Sequence, residues 1–458
     1  MESKKYITIL VGILCGIFTV WLIQLVNVPV YRLGLVLAIF VMFLTLFLIN
    51  YYLQIIFFIV TMPVIIYFGE KGFKPFNWSE IIIYIMLSIL ILESLMLYKK
   101  RKIKSKLFFP VFLFIGWIMT MSLLNSITLM AGIASFITHV KYVPLLFILP
   151  VFIKKTKDIE NIVLIILLIG FFTAILGLYL IAKGIGYEGL FGLAGVRRAV
   201  SLFPNSNMLG VYLSSIAPLG MVYWLRRDIN LKNVSYTLIF LAPIIAMIIL
   251  TYSRRAWITL AIGLLILFWK VKTQKIRFVF LIIIGLLTSA LIFTLDLKVI
   301  LLRISTIFDL DYPSQAKRIE AFSSIFEIVT SNILFLFTGL GSGSYGPSSV
   351  FTGELKLIDS YFMLLLVEYG IIGIFFYVWI LIALLQEVFD IERNCEINER
   401  ILLYGILIGV IVIIFSGLFG TNPITSPTNM YLWVFIGFII SIKNIILGDK
   451  NYARTKIN

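Results

Sequence analysis

The sequence predicts an all-α, polytopic membrane helical bundle of about 12–14 transmembrane helices with a large extracytoplasmic loop. Two observations carry that prediction. Of 458 residues, 61% are hydrophobic and only 13% charged, whereas soluble domains run about 45–50% apolar and about 25% charged. The apolar residues also gather in runs of helix-spanning length between short polar breaks. A soluble enzyme, a disordered chain and a secreted disulfide scaffold are excluded. Two cysteines, Cys15 in the first apolar run and Cys395 in a charged connection, make no framework.

The runs lie near 6–27, 32–49, 52–69, 79–98, 107–124, 131–153, 160–182 and 207–225, then 235–252, 255–270, 277–296, 361–385, 401–419 and 430–447. The first is too long for the core of a cleavable signal and lacks a small-residue cleavage site, so it is expected to stay as a span. The sixth is a weak joint, because it carries His139 and Lys141. Three regions follow: an N-terminal bundle over 1–182, a core over 183–385 with the large loop 297–360, and C-terminal helices over 386–458. Amphipathic stretches in that loop favour ordered helices on the membrane surface.

The net charge of +16 is first a topology signal rather than a mark of nucleic-acid binding. With the N-terminus inside, the even-numbered connections hold the clusters at Lys99–Lys106, Lys154–Lys157, Arg226–Lys232 and Lys270–Arg277. Both termini are therefore expected in the cytoplasm, with a multi-pass chain in the plasma membrane. Unusual residues then sort to the outer face. They are Arg197 and Arg198 ahead of Phe203-Pro204-Asn205-Ser206-Asn207, the turn Ser253-Arg254-Arg255, Lys317-Arg318, the run Gly339-Leu340-Gly341-Ser342-Gly343-Ser344-Tyr345, and Asp359-Ser360-Tyr361.

Arg254 and Arg255 break the positive-inside pattern at a short outer turn. Snorkelling to lipid phosphates would explain them; a clamp on an anionic group at the membrane surface is the functional alternative, since guanidiniums bind phosphate oxygens in pairs and stay charged. Asp359 stands where a helix begins, so it reads either as a cap or as an acceptor for the proton of an attacking sugar hydroxyl. Glu368 falls deeper in the span, where an ionisable group needs a partner or a cavity; a bond to one of the arginines is expected. The Gly341-x-Gly343-x-x-Gly346 match to a dinucleotide fingerprint lacks its strand–turn–helix setting and is rejected. Asp309 and Asp311 are too few for a metal site, and a single histidine, His139, excludes a His-based cluster or a Ser-His-Asp triad.

In order along the chain, Arg198-x-x-x-x-Phe203-Pro204-Asn205-x-Asn207, Ser253-Arg254, the glycine run ending at Tyr345, and Asp359-Ser360-x-Phe362-Met363-x-x-Leu366-x-Glu368-x-Gly370-x-x-Gly373 resemble the O-antigen ligase and polysaccharide polymerase superfamily. The resemblance covers about residues 190–375. It implies a GT-C-like, metal-independent, inverting glycosyltransferase with no cofactor, acting on a polyprenyl-diphosphate-linked oligosaccharide at the outer face. Arg254 and Asp359 are then the catalytic candidates. Arg198, Arg255, Arg318, Asn205, Asn207, Tyr345 and Tyr361 would hold the diphosphate and substrate, and Glu368, Gly341 and Gly343 would shape the cavity. Ligases usually carry histidine at the place of Asp359, which favours a polymerase. Expected partners are the lipid-linked oligosaccharide and membrane lipids, with a chain-length regulator and a flippase as candidate protein partners, and no nucleic acid. Two alternatives stay open: a ligase delivering glycan to another acceptor, and a lipid-linked oligosaccharide flippase.

Overall fold

A computed structural model describes residues 42–43, 51–69, 78–98, 103–190, 193–226, 230–271, 313–353 and 358–455, with isolated positions between 277 and 305. The spans expected at 6–27, 32–49 and 277–296 and the acidic pair Asp309 and Asp311 lie outside these, apart from a few scattered positions. Over the described residues the chain is an all-α membrane bundle. Seven helices are long and apolar enough to cross a bilayer.

The helices are α1 (Tyr51–Gly69), α2 (Trp78–Tyr98), α3 (Phe108–Leu124), α4 (Leu129–Val140), α5 (Leu145–Phe152) and α6 (Thr156–Ala182). After a hairpin of β1 (Tyr187–Leu190) and β2 (Leu193–Ala199) come α7 (Ser206–Leu225), α8 (Leu231–Leu250) and α9 (Arg254–Lys270). The long loop holds α10 (Pro313–Thr330) and α11 (Ile333–Thr338). The bundle closes with α12 (Tyr361–Glu392), α13 (Ile397–Ser416) and α14 (Thr428–Thr455). Each sequence-expected span on described residues coincides with a helix. The weak sixth one is also a single span, Leu129–Phe152, in which a turn through Lys141 and Pro144 separates α4 from α5. The described part of the long loop, 313–353, holds helices, as its amphipathic stretches suggested.

α7 is the axis of the bundle and packs against α8, α9 and α13. It is lined with small residues that allow close approach, as is usual between membrane helices. A Cβ on Gly210 would come within 2.6 Å of Ala256 Cβ, and Gly409 of α13 lies against the carbonyl of Ser215. Side chains cap the helix starts: Asn205, Ser253 and Ser360 accept hydrogen bonds from Met208, Ala256 and Met363 backbone N–H groups.

Polar contacts segregate to the two ends of the bundle. At one end Arg226 pairs with Glu160 at 2.9 Å, Lys106 with Asp390 at 2.7 Å, and Thr156 Oγ1 donates to Glu399. Buried Glu387 of α12 pairs there with Lys443 of α14 and accepts from Ser105 Oγ and Lys106 N–H, which ties the start of α3 to both helices. Removing one member of a buried ion pair strands the other. Glu387→Ala should therefore cost about 3–5 kcal/mol, seen as a lowered melting midpoint in detergent. Cys395, in the connection between α12 and α13 at this end, is buried, and burial pushes its thiol up. Little thiolate forms near neutral pH. Maleimide should label it only slowly in the folded protein and fast in denaturant.

Candidate active site

The opposite end of the bundle collects the outer residues singled out from sequence. The hairpin sets Glu188 directly across from Arg198, and cross-strand neighbours on one face interact. Arg198 Nη1 lies 3.2 Å from Glu188 Oε1, its Nη2 donates to Asn207 Oδ1 at 2.7 Å, and its Nε to the carbonyl of Thr251 at 2.9 Å. Only 9% of this residue is exposed. Arg198 thus joins the hairpin, the first turn of α7 and the α8–α9 turn. Ser253 Oγ also donates to Asn207 Oδ1, at 2.9 Å, while Glu188 accepts from Ser206. That α8–α9 turn is tight, with Tyr252 at φ 47°.

This turn delivers Arg254 and Arg255 in the first turn of α9, both partly exposed. Arg255 lies within electrostatic reach of Asp359, Arg318 and Arg198. Among the described residues, no hydrogen bond or ion pair engages its guanidinium. Arg318, from α10 in the long loop, instead grips Asp359: Nε and Nη2 both donate to Oδ2, at 3.0 and 2.8 Å. The Asp359 side chain remains 57% exposed. Asp359 is not the helix cap, because Ser360 fills that place. Its carboxylate is left to face the arginines.

The structure therefore brings together Arg198, Asn207, Arg255, Arg318 and Asp359, with Arg254 adjoining. Other expected site residues serve the frame. The Asn205 side-chain oxygen Oδ1 is used in capping α7, accepting from Met208 N–H. Tyr361 is buried, its ring packed on Tyr377 and His139 at 5.1 and 5.9 Å. His139 is buried too, with Nδ1 bonded to the carbonyl of Ser135 at 2.9 Å.

Glu368 does not bond an arginine, contrary to expectation. It is buried and accepts from Ser135 Oγ at 2.6 Å and from Gly343 N–H at 3.0 Å, and it also meets the backbone of Tyr345. The arginines sit at the bundle end, whereas this carboxylate lies seven residues inside α12. Its role is to hold the glycine run. That run threads between α3, α4 and α12, and only glycine fits. Gly341 and Gly343 have φ of 118° and 78°, and a Cβ on Gly343 would lie 2.6 Å from that of Ala131. Leu340 N–H donates to Val367 O, Ser342 N–H to Asn125 O, and Ser342 Oγ meets Ser122 and Tyr369 hydroxyls at 3.0 Å. Half-buried Tyr345 is the run's last side chain before Gly346.

Residues 237–378 match the family model for O-antigen ligase. That stretch is similar to the O-antigen ligase family. The similarity supports the O-antigen ligase and polymerase superfamily and glycan transfer of that general type. No curated protein matches the chain. The matched stretch contains Arg254, Arg255, Arg318, Asp359 and Glu368, while Arg198, Asn205 and Asn207 precede it. Two contributors escaped sequence reading. Glu188, a lone acid in a short connection, signalled itself only by its alternation with Arg198 across a hairpin. The loop 417–427 after α13 carries no charge at all, yet it approaches Arg255 and the start of α12.

Proposed function

We propose that this protein is a polysaccharide polymerase of the outer face of the plasma membrane, with both termini cytoplasmic. It would move a glycan from a polyprenyl-diphosphate donor onto a lipid-linked repeat unit. The observation that carries the reading is an exposed carboxylate, Asp359, oriented by Arg318 and set near Arg255, whose guanidinium makes no hydrogen bond among the described residues. Such a pairing suits a displacement at an activated sugar. A hydroxyl oxygen of the acceptor attacks the anomeric carbon, and its proton passes to Asp359. The bond from that carbon to the diphosphate oxygen breaks, and the electron pair leaves with the diphosphate.

Arg255, with Arg254 beside it, neutralises the charge gathering on that leaving group. Arg198 holds the turn that presents both. A single displacement inverts the anomeric centre. The donor is already activated, so the reaction needs no nucleotide, and the family resemblance implies that it needs no metal. The basic clusters at the other end of the bundle support the orientation by the positive-inside rule.

A nucleotide-free assay of the reconstituted protein with labelled polyprenyl-diphosphate oligosaccharide tests this reading. A ladder of repeat-spaced products is expected from the wild type, and none from Asp359→Ala. Full-length polymer from that variant would remove Asp359 from the mechanism. Unchanged substrate with folded wild-type protein and the correct repeat would sink the polymerase and leave a ligase or a flippase.

A further inference from the structure

The loop between α13 and α14 touches both halves of the candidate site through its backbone. Tyr361 N–H donates to the carbonyls of Gly417 and Gly420, at 2.7 and 3.0 Å, one helical position beyond the Ser360 cap. Ser360 Oγ also reaches Gly417 O, at 3.4 Å. The loop is thereby fastened next to Asp359. Its other neighbour is Arg255. A Cβ built on Gly420 would lie 2.7 Å from Nη2 of Arg255, and closer still to Cζ and Nη1. The guanidinium therefore rests on bare glycine backbone.

Gly420 is buried, yet it is not among the glycines with positive φ. An L-residue could adopt its backbone conformation. What a methyl group would displace is the end of a flexible side chain rather than the fold. We infer that Gly420 is a positioning residue: its missing side chain fixes where the Arg255 guanidinium stands, and so sets the grip on a lipid-linked diphosphate. A pre-set guanidinium binds more tightly than one that must be reordered. The inference rests on the reading of Arg255 as a diphosphate ligand.

The test is a double-mutant cycle on the purified full-length protein in detergent, with geranylgeranyl diphosphate as the probe and calorimetry as the readout. Gly420→Ala should weaken binding about tenfold, the size of one misaligned charge-assisted hydrogen bond, at an unchanged melting midpoint. Arg255→Ala should weaken it at least as much. In the Arg255→Ala background the further change Gly420→Ala should do nothing, because the guanidinium it displaces is gone. Equal losses in both backgrounds overturn the inference, as does wild-type affinity in Gly420→Ala. A collapse of folding in Gly420→Ala also overturns it, since the strain would then fall on the backbone. A wild-type protein that ignores the probe overturns the diphosphate reading itself, and the inference with it. Binding by the wild type with a flat response to Gly420→Ala overturns the inference alone.

Discussion

Arg255→Ala should slow chain growth by about a hundredfold or more, the usual cost of deleting a group that stabilises charge developing on a reacting centre. The amount of folded protein in the membrane should stay the same. That separation follows from its surroundings. Arg255 has no bonded partner among the described residues, so truncation strands no buried acceptor. Arg198→Ala is the contrasting case. It would leave Glu188, Asn207 and the Thr251 carbonyl short of a donor, so folding and activity should fall together. Product ladders from reconstituted vesicles, normalised to folded protein, separate the two behaviours. Wild-type turnover in Arg255→Ala would remove that residue from the chemistry.

Gly370→Ala should be among the most damaging single changes to the fold. Gly370 interrupts α12 with φ 66° and ψ −170°, a conformation that costs an L-residue about 1–3 kcal/mol. Its absent side chain also faces main chain: a Cβ there would sit 2.6 Å from Thr338 N and nearer still to the Phe337 carbonyl. Backbone atoms cannot swing aside as a side chain can. About 3 kcal/mol or more is expected, read as loss of the folded fraction in detergent extracts. An Ala variant melting with the wild type would show that α12 can run straight through this point.

Most of the bundle was legible in the sequence because bilayer thickness dictates run length and the polar breaks are sharp. The sixth span, with Lys141 and Pro144 near its middle, was legible as one crossing over Leu129–Phe152, but the turn that divides its helix was not. The site was legible in part. Charges at unexpected outer positions pointed to Arg198, Arg255, Arg318 and Asp359, and these converge. Their partners were not legible, because pairing across long separations is set by packing. Arg318 and Asp359 are joined only once the long loop folds back over the opening of α12. Glu368 misled because an acid in a span suggests an arginine, whereas backbone N–H groups of a glycine run serve equally well. Gly420 carried no chemical signal, since its contribution is an empty space.

The interruption at Gly370 also bears on how the protein rides in its membrane. The carbonyls loosened by the break are taken up from outside the helix: Trp117 Nε1 donates to Tyr369 O at 3.0 Å and Leu340 N–H to Val367 O. The nine residues before the break are thus moored to the loop and to α3, while those after it form a second rod whose far end Glu387 ties to the start of α3. A spanning helix answers a thicker or thinner bilayer by changing its tilt. Here the rod beyond Gly370 is tied to the start of α3 through Glu387, and its Tyr377 packs on Tyr361 before the break, so a change of bilayer thickness should tilt both segments together with α3.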